Sequence, residues 1–459
     1  MGPNISVEVE HRQSTQQPHK KQPREFPYDR WQAPFFTIWA VQSLSLLGSQ
    51  LVQFALIWYL TAQTGSATVL ALAALVGIGP QVILGPMIGT LVDRWNRRIV
   101  MMAADATVAL ATVVLAVLFA MGPVQVWQIY ALLFVRSLAG TFHWPAMTAS
   151  TSLMVPKEHL SRIQGLNQFL QGGLNIISAP LGALLLGVLS MEGILSIDVV
   201  TAIIAITPLF FIPIPQPKKD PAQAAFEAKT SIWDELKAGL RYTLSWPGLL
   251  VLMISATLVN LVLSTAFTLM PILVTRHFNG QALQLAWIES SAGVGMLVGG
   301  LLLGVWGGFK RRILTSLMGL IILGASAVLL GFTPGSMFTL GLGLALIMGI
   351  ALPIVNGPVH AVLQAVVAPD MQGRVFTLLQ SAATAMMPIG LLVAGPVADR
   401  YGVQVWFVLG GLVTFSIGVL GFFIPALRDI ETQQPAQPEI SQPVDLGGSI
   451  EAPLVAEER

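Results

Sequence analysis

The sequence predicts an all-α membrane protein, with twelve transmembrane helices in two six-helix bundles related by a pseudo-two-fold axis. Three observations carry that prediction: very low charge, twelve apolar stretches of spanning length, and a repeat of the first half in the second. Of 459 residues, 54% are hydrophobic and 10% charged, against about 25% charged in an ordinary soluble domain. Mean hydropathy is +0.72.

A bilayer core of about 30 Å needs about 20 apolar residues per helix. Helices 1 to 6 are expected at 34–62, 67–92, 99–121, 126–149, 163–189 and 194–213, and helices 7 to 12 at 248–275, 282–306, 313–332, 337–366, 374–397 and 403–424. The chain thus divides into an amino-terminal tail (1–33), a first bundle (34–213), a linker (214–247), a second bundle (248–424) and a disordered tail (425–459). The first apolar stretch is too long for a signal-peptide core. In the linker, Trp233, Leu236 and Leu240 share one helical face, which predicts a short helix lying at the membrane surface.

Orientation follows from the basic residues. Of 24 Lys and Arg, 21 fall on the side that holds both tails, while Arg276 and Arg400 fall opposite and Arg136 lies within helix 4. Both termini are therefore expected in the cytoplasm of a bacterial inner membrane. The net charge of +1 gives no sign of a nucleic-acid partner. With no cysteine there are no disulfides, thiol nucleophiles or Cys-based zinc sites. The absence of a G-x-x-x-x-G-K-[ST] phosphate loop, H-E-x-x-H or G-x-S-x-G leaves ATP-driven pumping and the common hydrolases without a basis. No metal site, no cofactor and no enzymatic activity are expected.

A shift of 215 residues carries the polar series Gln42, Ser45, Ser49, Gln53 of helix 1 onto Thr257, Asn260, Ser264, Thr268 of helix 7. The same shift carries Gly85 and Gly89 onto Gly300 and Gly304. Further on, Pro145, Pro156, Arg162 and Pro180-Leu-Gly182 recur as Pro358, Pro369, Arg374 and Pro388-Ile-Gly390 with slightly smaller shifts. A six-helix unit repeated in the same orientation builds two bundles around a central cavity, an architecture suited to alternating access.

Between helices 2 and 3 stands Gly85-Pro-Met-Ile-Gly89-Thr-Leu-Val-Asp93-Arg94-Trp-Asn-Arg97-Arg98. Its glycines would let helices approach closely, and its acid and arginines can form a charge network that locks one conformation and opens in another. The stretch resembles motif A of the major facilitator superfamily, G-x-x-x-D-R-x-x-R-R, with every specified position filled. The second copy has Gly308 where the first has Asp93, so the switch is expected to be asymmetric. Arg136-Ser-Leu-Ala-Gly140 is similar to the superfamily's helix 4 pattern. Gly173-Leu-Asn-Ile-Ile-Ser-Ala-Pro180-Leu-Gly182 is similar, with substitutions, to its antiporter motif. The stretches 156–162, 233–242 and Gly395-Pro-Val-Ala-Asp-Arg-Tyr-Gly402 resemble the drug:proton exporter branch that contains macrolide-efflux proteins and the enterobactin exporter. The resemblance implies proton-coupled export of an amphiphilic drug, macrolide-like or siderophore-like compound. The branch also borders uptake and lysolipid carriers, and a receptor or scaffold is the rival from another class.

Apart from terminal positions and histidines, four ionisable residues fall within helices: Asp105, Arg136, Asp198 and Glu289. Such groups are costly in lipid and face a bundle interior. Asp105 and Arg136 are expected at nearly equal depth, which fits an ion pair and a proton-transfer role equally. Asp198 and Glu289 lie in the outer halves of helices 6 and 8, where an entering proton would reach them first. Gln42, Ser45, Ser49, Gln53, Gln168, Gln171, Asn175, Asn260, Ser264, Asn356 and His360 are candidates to line the cavity, with helix-to-helix hydrogen bonding as the alternative. Partners are thus expected to be a small amphiphilic substrate, protons and the bilayer, with the chain acting as a monomer.

Overall fold

The computed structural model describes residues 30–92, 95–216 and 232–432. The helices α1 to α6 are Gln32–Thr64, Ala67–Val92, Arg97–Met121, Val126–Met154, Leu160–Val188 and Met191–Phe211. A surface helix, Ile232–Ser245, precedes α7 (247–277). Then follow α8 to α12: Ala282–Trp306, Arg312–Phe332, Phe338–Val366, Pro369–Tyr401 and Val403–Phe423. Among the described residues, eleven helices are long and apolar enough to cross a membrane. The twelfth, α4, is 29 residues long and holds Arg136 and His143 among its apolar residues.

Local sequence explains the boundaries. Gly65, at φ 58°, closes α1 in the left-handed conformation, and Gly307, at φ 75°, closes α8. The Asn96 side chain accepts hydrogen bonds from the Arg98 and Ile99 amides and starts α3. At the starts of α4 and α8 the direction is reversed, with the Gln128 and Gln284 side chains inside the helices accepting from the backbone N–H of Gln125 and Gln281. α7 is the irregular member, since the ladder widens into π turns at Asn260–Ser264 and Leu273–His277. Trp406 Nε1 donates to the Val262 carbonyl at 3.1 Å, so the first π turn is tied to α12.

The packing repeats six helices later. α1 packs on α5 and α6, α2 and α3 pack on α4, and α3 packs on α6; α7 to α12 reproduce each of these contacts. The two halves meet along α2–α11 and α5–α8, a pair of seams that a two-fold axis exchanges. The ends of the described chain and the arginine pairs Arg97-Arg98 and Arg311-Arg312 share one face, called here the basic face, and the α1–α2 turn lies on the far face. Near the far face one apolar cluster joins both halves, from Phe54, Leu70 and Ala183 to Leu285, Ala394 and Phe407. Toward the basic face each half has its own cluster, one around Trp31, Met101 and Met154 and the other around Trp246, Leu317 and Leu363. The halves are therefore sealed together at the far face and separate at the basic face.

Glycine decides which helices touch closely, and not at every site where the sequence places it. A Cβ at Gly299 of α8 would overlap the Ile350 carbonyl of α10, and one at Gly182 would stand 2.8 Å from the Phe54 ring. Gly85, expected at a close contact, has open space where a Cβ would stand, as do Gly173 and Gly300. Gly85 lies on the stretch of α2 that runs toward the basic face, where the halves part.

The linker stretch read as a short helix is helical over Ile232–Ser245 and packs on α11, with Gly239 against Arg374; the side chains of Trp233 and Leu236 lie outside the described residues. The carboxy-terminal tail begins later than expected. Pro425–Arg428 form a further helical turn that buries Leu427 and Ile430 in the second half's apolar cluster, and Arg311 donates to Asp429 at 2.7 Å.

Replacing Gly299 by Leu should push α8 from α10 at a cost of about 1–3 kcal/mol. In detergent the variant should melt several degrees below the parent, whereas Gly300→Leu, one residue on and facing open space, should melt like the parent. Equal melting of the two variants would contradict the packing.

Candidate functional site

The first half is tied together by a polar knot. Asp198 on α6 is fully buried and takes Arg136 of α4 at 2.5 Å, Ser49 Oγ of α1 at 2.9 Å and Thr112 Oγ1 of α3 at 3.1 Å. The guanidinium also donates to Thr112 Oγ1 at 2.9 Å and to the Ser49 carbonyl at 3.3 Å. Four helices thus share one ion pair, with both charges hydrogen-bonded on more than one side.

Asp105 is not the partner of Arg136. Its carboxylate accepts from Gln42 Nε2 at 2.9 Å and lies 3.3 Å from His143 Nε2. The antiparallel register of α3 and α4 sets Asp105 opposite His143 and Thr112 opposite Arg136. α3 has 25 residues, so at about 1.5 Å per residue it is ~37 Å long. That exceeds the ~30 Å bilayer core against which depth was judged, and the two charges stand about two turns apart.

Two cavities meet at Leu46 of α1. The one toward the basic face, about 520 Å³, is lined by Trp39, Gln42, His143, Trp144, Gln168 and Gln171 among others. Trp39 Nε1 donates to Asn167 Oδ1 at 2.8 Å on its wall. The central cavity, about 470 Å³, lies between the halves, with Ser49, Gln50, Gln53, Arg136 and Ser137 on one side and Thr268, Glu289 and Met387 on the other. Glu289 is the sole acid among its lining residues. No hydrogen-bond or ion-pair partner for its carboxylate appears among the described residues.

The other candidates divide. Ser45 is buried within the first half. Asn175 is exposed on α5 and lines neither cavity. Asn260, Asn356 and His360 come together in a separate cleft of about 110 Å³ inside the second half. Ser264 donates to Asn260 Oδ1 at 3.2 Å beside it. Of the gating stretch, Asp93 and Arg94 and the surroundings of Gly89 lie outside the described residues. Arg97 donates to the Ala149 carbonyl at 3.0 Å, and Arg98 caps the end of α6 through the Leu209 and Phe210 carbonyls. Sequence reasoning missed His143, Gln50 and Ser137. The seven-residue spacing of Arg136 to His143, matching that of Asp105 to Thr112, was the signal that two facing pairs exist.

Asp198→Asn should leave Arg136 charged and unpaired in the bundle, a loss of about 3–5 kcal/mol. Expression and thermal stability should fall sharply and recover in part in the Asp198→Asn, Arg136→Gln double variant. A double variant worse than either single one would show that the pair is not the tie.

Residues 38–391 match the Major Facilitator Superfamily. Macrolide efflux protein A of Streptococcus pyogenes is 36% identical over 404 residues, covering 88% of this chain and 99% of that protein. Multidrug efflux pump Tap of Mycolicibacterium fortuitum is 28% identical over 406 residues, 84% of this chain and 94% of the pump. Among solved structures, a bacterial homologue of the human lysosomal transporter Spinster has the same fold, with a TM-score of 0.64 and 13% identity over 89% of this chain and 97% of its own. A bacterial homologue of the iron transporter ferroportin gives 0.62 and 16% identity over 84% and 99%. With its repeated six-helix halves, its central cavity and a family match over most of its length, this chain belongs to the Major Facilitator Superfamily of membrane transporters.

Proposed function

We propose that this chain exports an amphiphilic small molecule of the macrolide or multidrug type, by alternating access, in exchange for protons. The observation that carries the proposal is Glu289, the one acid facing a cavity built by both halves and walled mainly by apolar and amide groups. A carboxylate in such surroundings binds either a proton or the cationic group of an amphiphile, and one site that takes the two in turn exchanges them. Asp198, the other coupling candidate, is held by Arg136, Ser49 and Thr112, and its role is to brace the first half. The efflux relatives, similar over nearly their whole length, support export as the direction.

In this reading the basic face is cytoplasmic, so substrate enters through the cavity beside Trp39 and Trp144 and moves along α1 to Glu289. The open space at Gly85 supports a cycle in which α2 gains a close neighbour once the basic face shuts. Motif A, from Gly85 to Arg98, then serves that shut state.

Glu289→Gln should abolish proton-driven uptake of a macrolide or dye into inside-out vesicles, while downhill exchange persists. Uphill transport by that variant at normal expression and with unchanged pH dependence would place coupling elsewhere, with Asp105 and His143 next to test. Reporter fusions after residue 440 should read cytoplasmic and fusions after 335 external; the reverse pattern would overturn the orientation.

A further inference from the structure

The stretch Gly395 to Gly402 has no part in the central cavity, and the structure sets it against the first half at the far face. Asp399, in the last turns of α11, reaches the first turn of α2. Its carboxylate accepts from Ser66 Oγ at 2.8 Å and from the backbone N–H of Ala67 and Thr68 at 2.8 and 2.9 Å. Those amides are the ones a helix leaves unsatisfied at its amino end, and a residue just before the helix normally caps them. Here the cap comes from the other half of the protein. Arg276, at the end of α7, lies 3.6 Å from Asp399 and packs over Gly65, whose φ is 58°. One turn before Asp399, Gly395 brings the helices so close that a Cβ there would stand 2.8 Å from Thr68 Cα.

We propose that Asp399 and Arg276 form a latch between the halves that holds the far face shut, and that its release is a step of the transport cycle. The inference rests on the alternating-access reading above. Its physical argument is a contrast between a buried tie and one that water reaches. Arg136 and Asp198 are 9% and 1% exposed, whereas Arg276 and Asp399 are 49% and 27% exposed. Separating Arg136 from Asp198 strands charges in a dry bundle, whereas Arg276 and Asp399 both belong to the second half and stay paired as the halves part, while water that already reaches them replaces the contacts of Asp399 with the α2 amino end. The buried pair is built to hold, and the exposed contact of Asp399 with α2 is built to break. The carboxylate at the α2 amino end adds a directional interaction with the helix dipole that the surrounding apolar seal lacks. At the other seam, α5–α8, the cross-contact is the neutral Ser290 Oγ donating to the Ile176 carbonyl at 3.1 Å.

The chain has no cysteine, so one reporter, Ala74→Cys on the central cavity wall, can be added directly. A membrane-impermeant maleimide applied to whole cells and to inside-out vesicles reads the reporter from each side. The otherwise unaltered protein should label from both sides, more slowly from outside. Asp399→Ala and Asp399→Asn should raise the outside rate about tenfold, and Arg276→Ala should raise it less. Asp429→Ala, which breaks an ion pair on the basic face, should leave it unchanged. If Asp399→Ala fails to accumulate, Asp399→Asn, which keeps an acceptor for α2, and Arg276→Ala, which leaves the cap intact, carry the test. Labelling from both sides with the same ratio in the Asp399 and Arg276 variants overturns the latch and leaves alternating access standing. Labelling from one side alone in every variant removes the reading beneath it, and the latch with it.

Discussion

A guanidinium within hydrocarbon must find its counter-ion inside the protein, and the rest of the first half is arranged around that requirement. Arg136 meets Asp198, and the oxygens that complete the site come from Ser49 and Thr112. Because α1, α3, α4 and α6 each supply one group, none can rotate or slide without leaving a charge or a donor unmatched. The second half has no such knot among its described residues. It relies on close glycine contacts, as where Gly299 meets the Ile350 carbonyl and Gly324 the backbone of Phe415. Two bundles of one ancestry thus hold together by different physics, one by a buried ion pair and the other by van der Waals fit.

That difference extends to how each half meets the central cavity. The first half presents Ser49, Gln50, Gln53 and Ser137, and the second presents Glu289 and Thr268 from α8 and the irregular α7. The polar wall belongs to the braced half. The lone acid sits on the half whose α7 carries two π turns, where the backbone ladder is weakest.

Most of the fold was legible because lipid imposes a simple rule: a spanning helix needs length and low polarity, and both can be read along the chain. The repeat supplied the pairing of helices, and the seams α2–α11 and α5–α8 follow from its symmetry. The site was legible in residue type and less so in partnership. Gln42 and Asp105 were each singled out, yet their hydrogen bond depends on register between helices 63 residues apart in sequence. Depth estimates failed for Arg136 because α3 is longer than the bilayer core. Asp399 escaped notice because α11 was ended at residue 397, one turn short of Tyr401, which left the acid in a loop. The turn at 425–432 was hidden by the polar composition that follows it.

The ion pair in the first half also has a history in time. Arg136 leaves the ribosome 62 residues before Asp198, a gap of about 3–12 s at ~5–20 residues per second. During that interval α4 carries a charge whose partner does not yet exist, and among α1 to α6 it alone falls short as an apolar span. Its entry into the bilayer is therefore the costliest among the helices of the first half. Neutralisation of the Arg136 charge waits on α6, and the order of synthesis makes Asp198 the residue that completes the charge pairing of the first half.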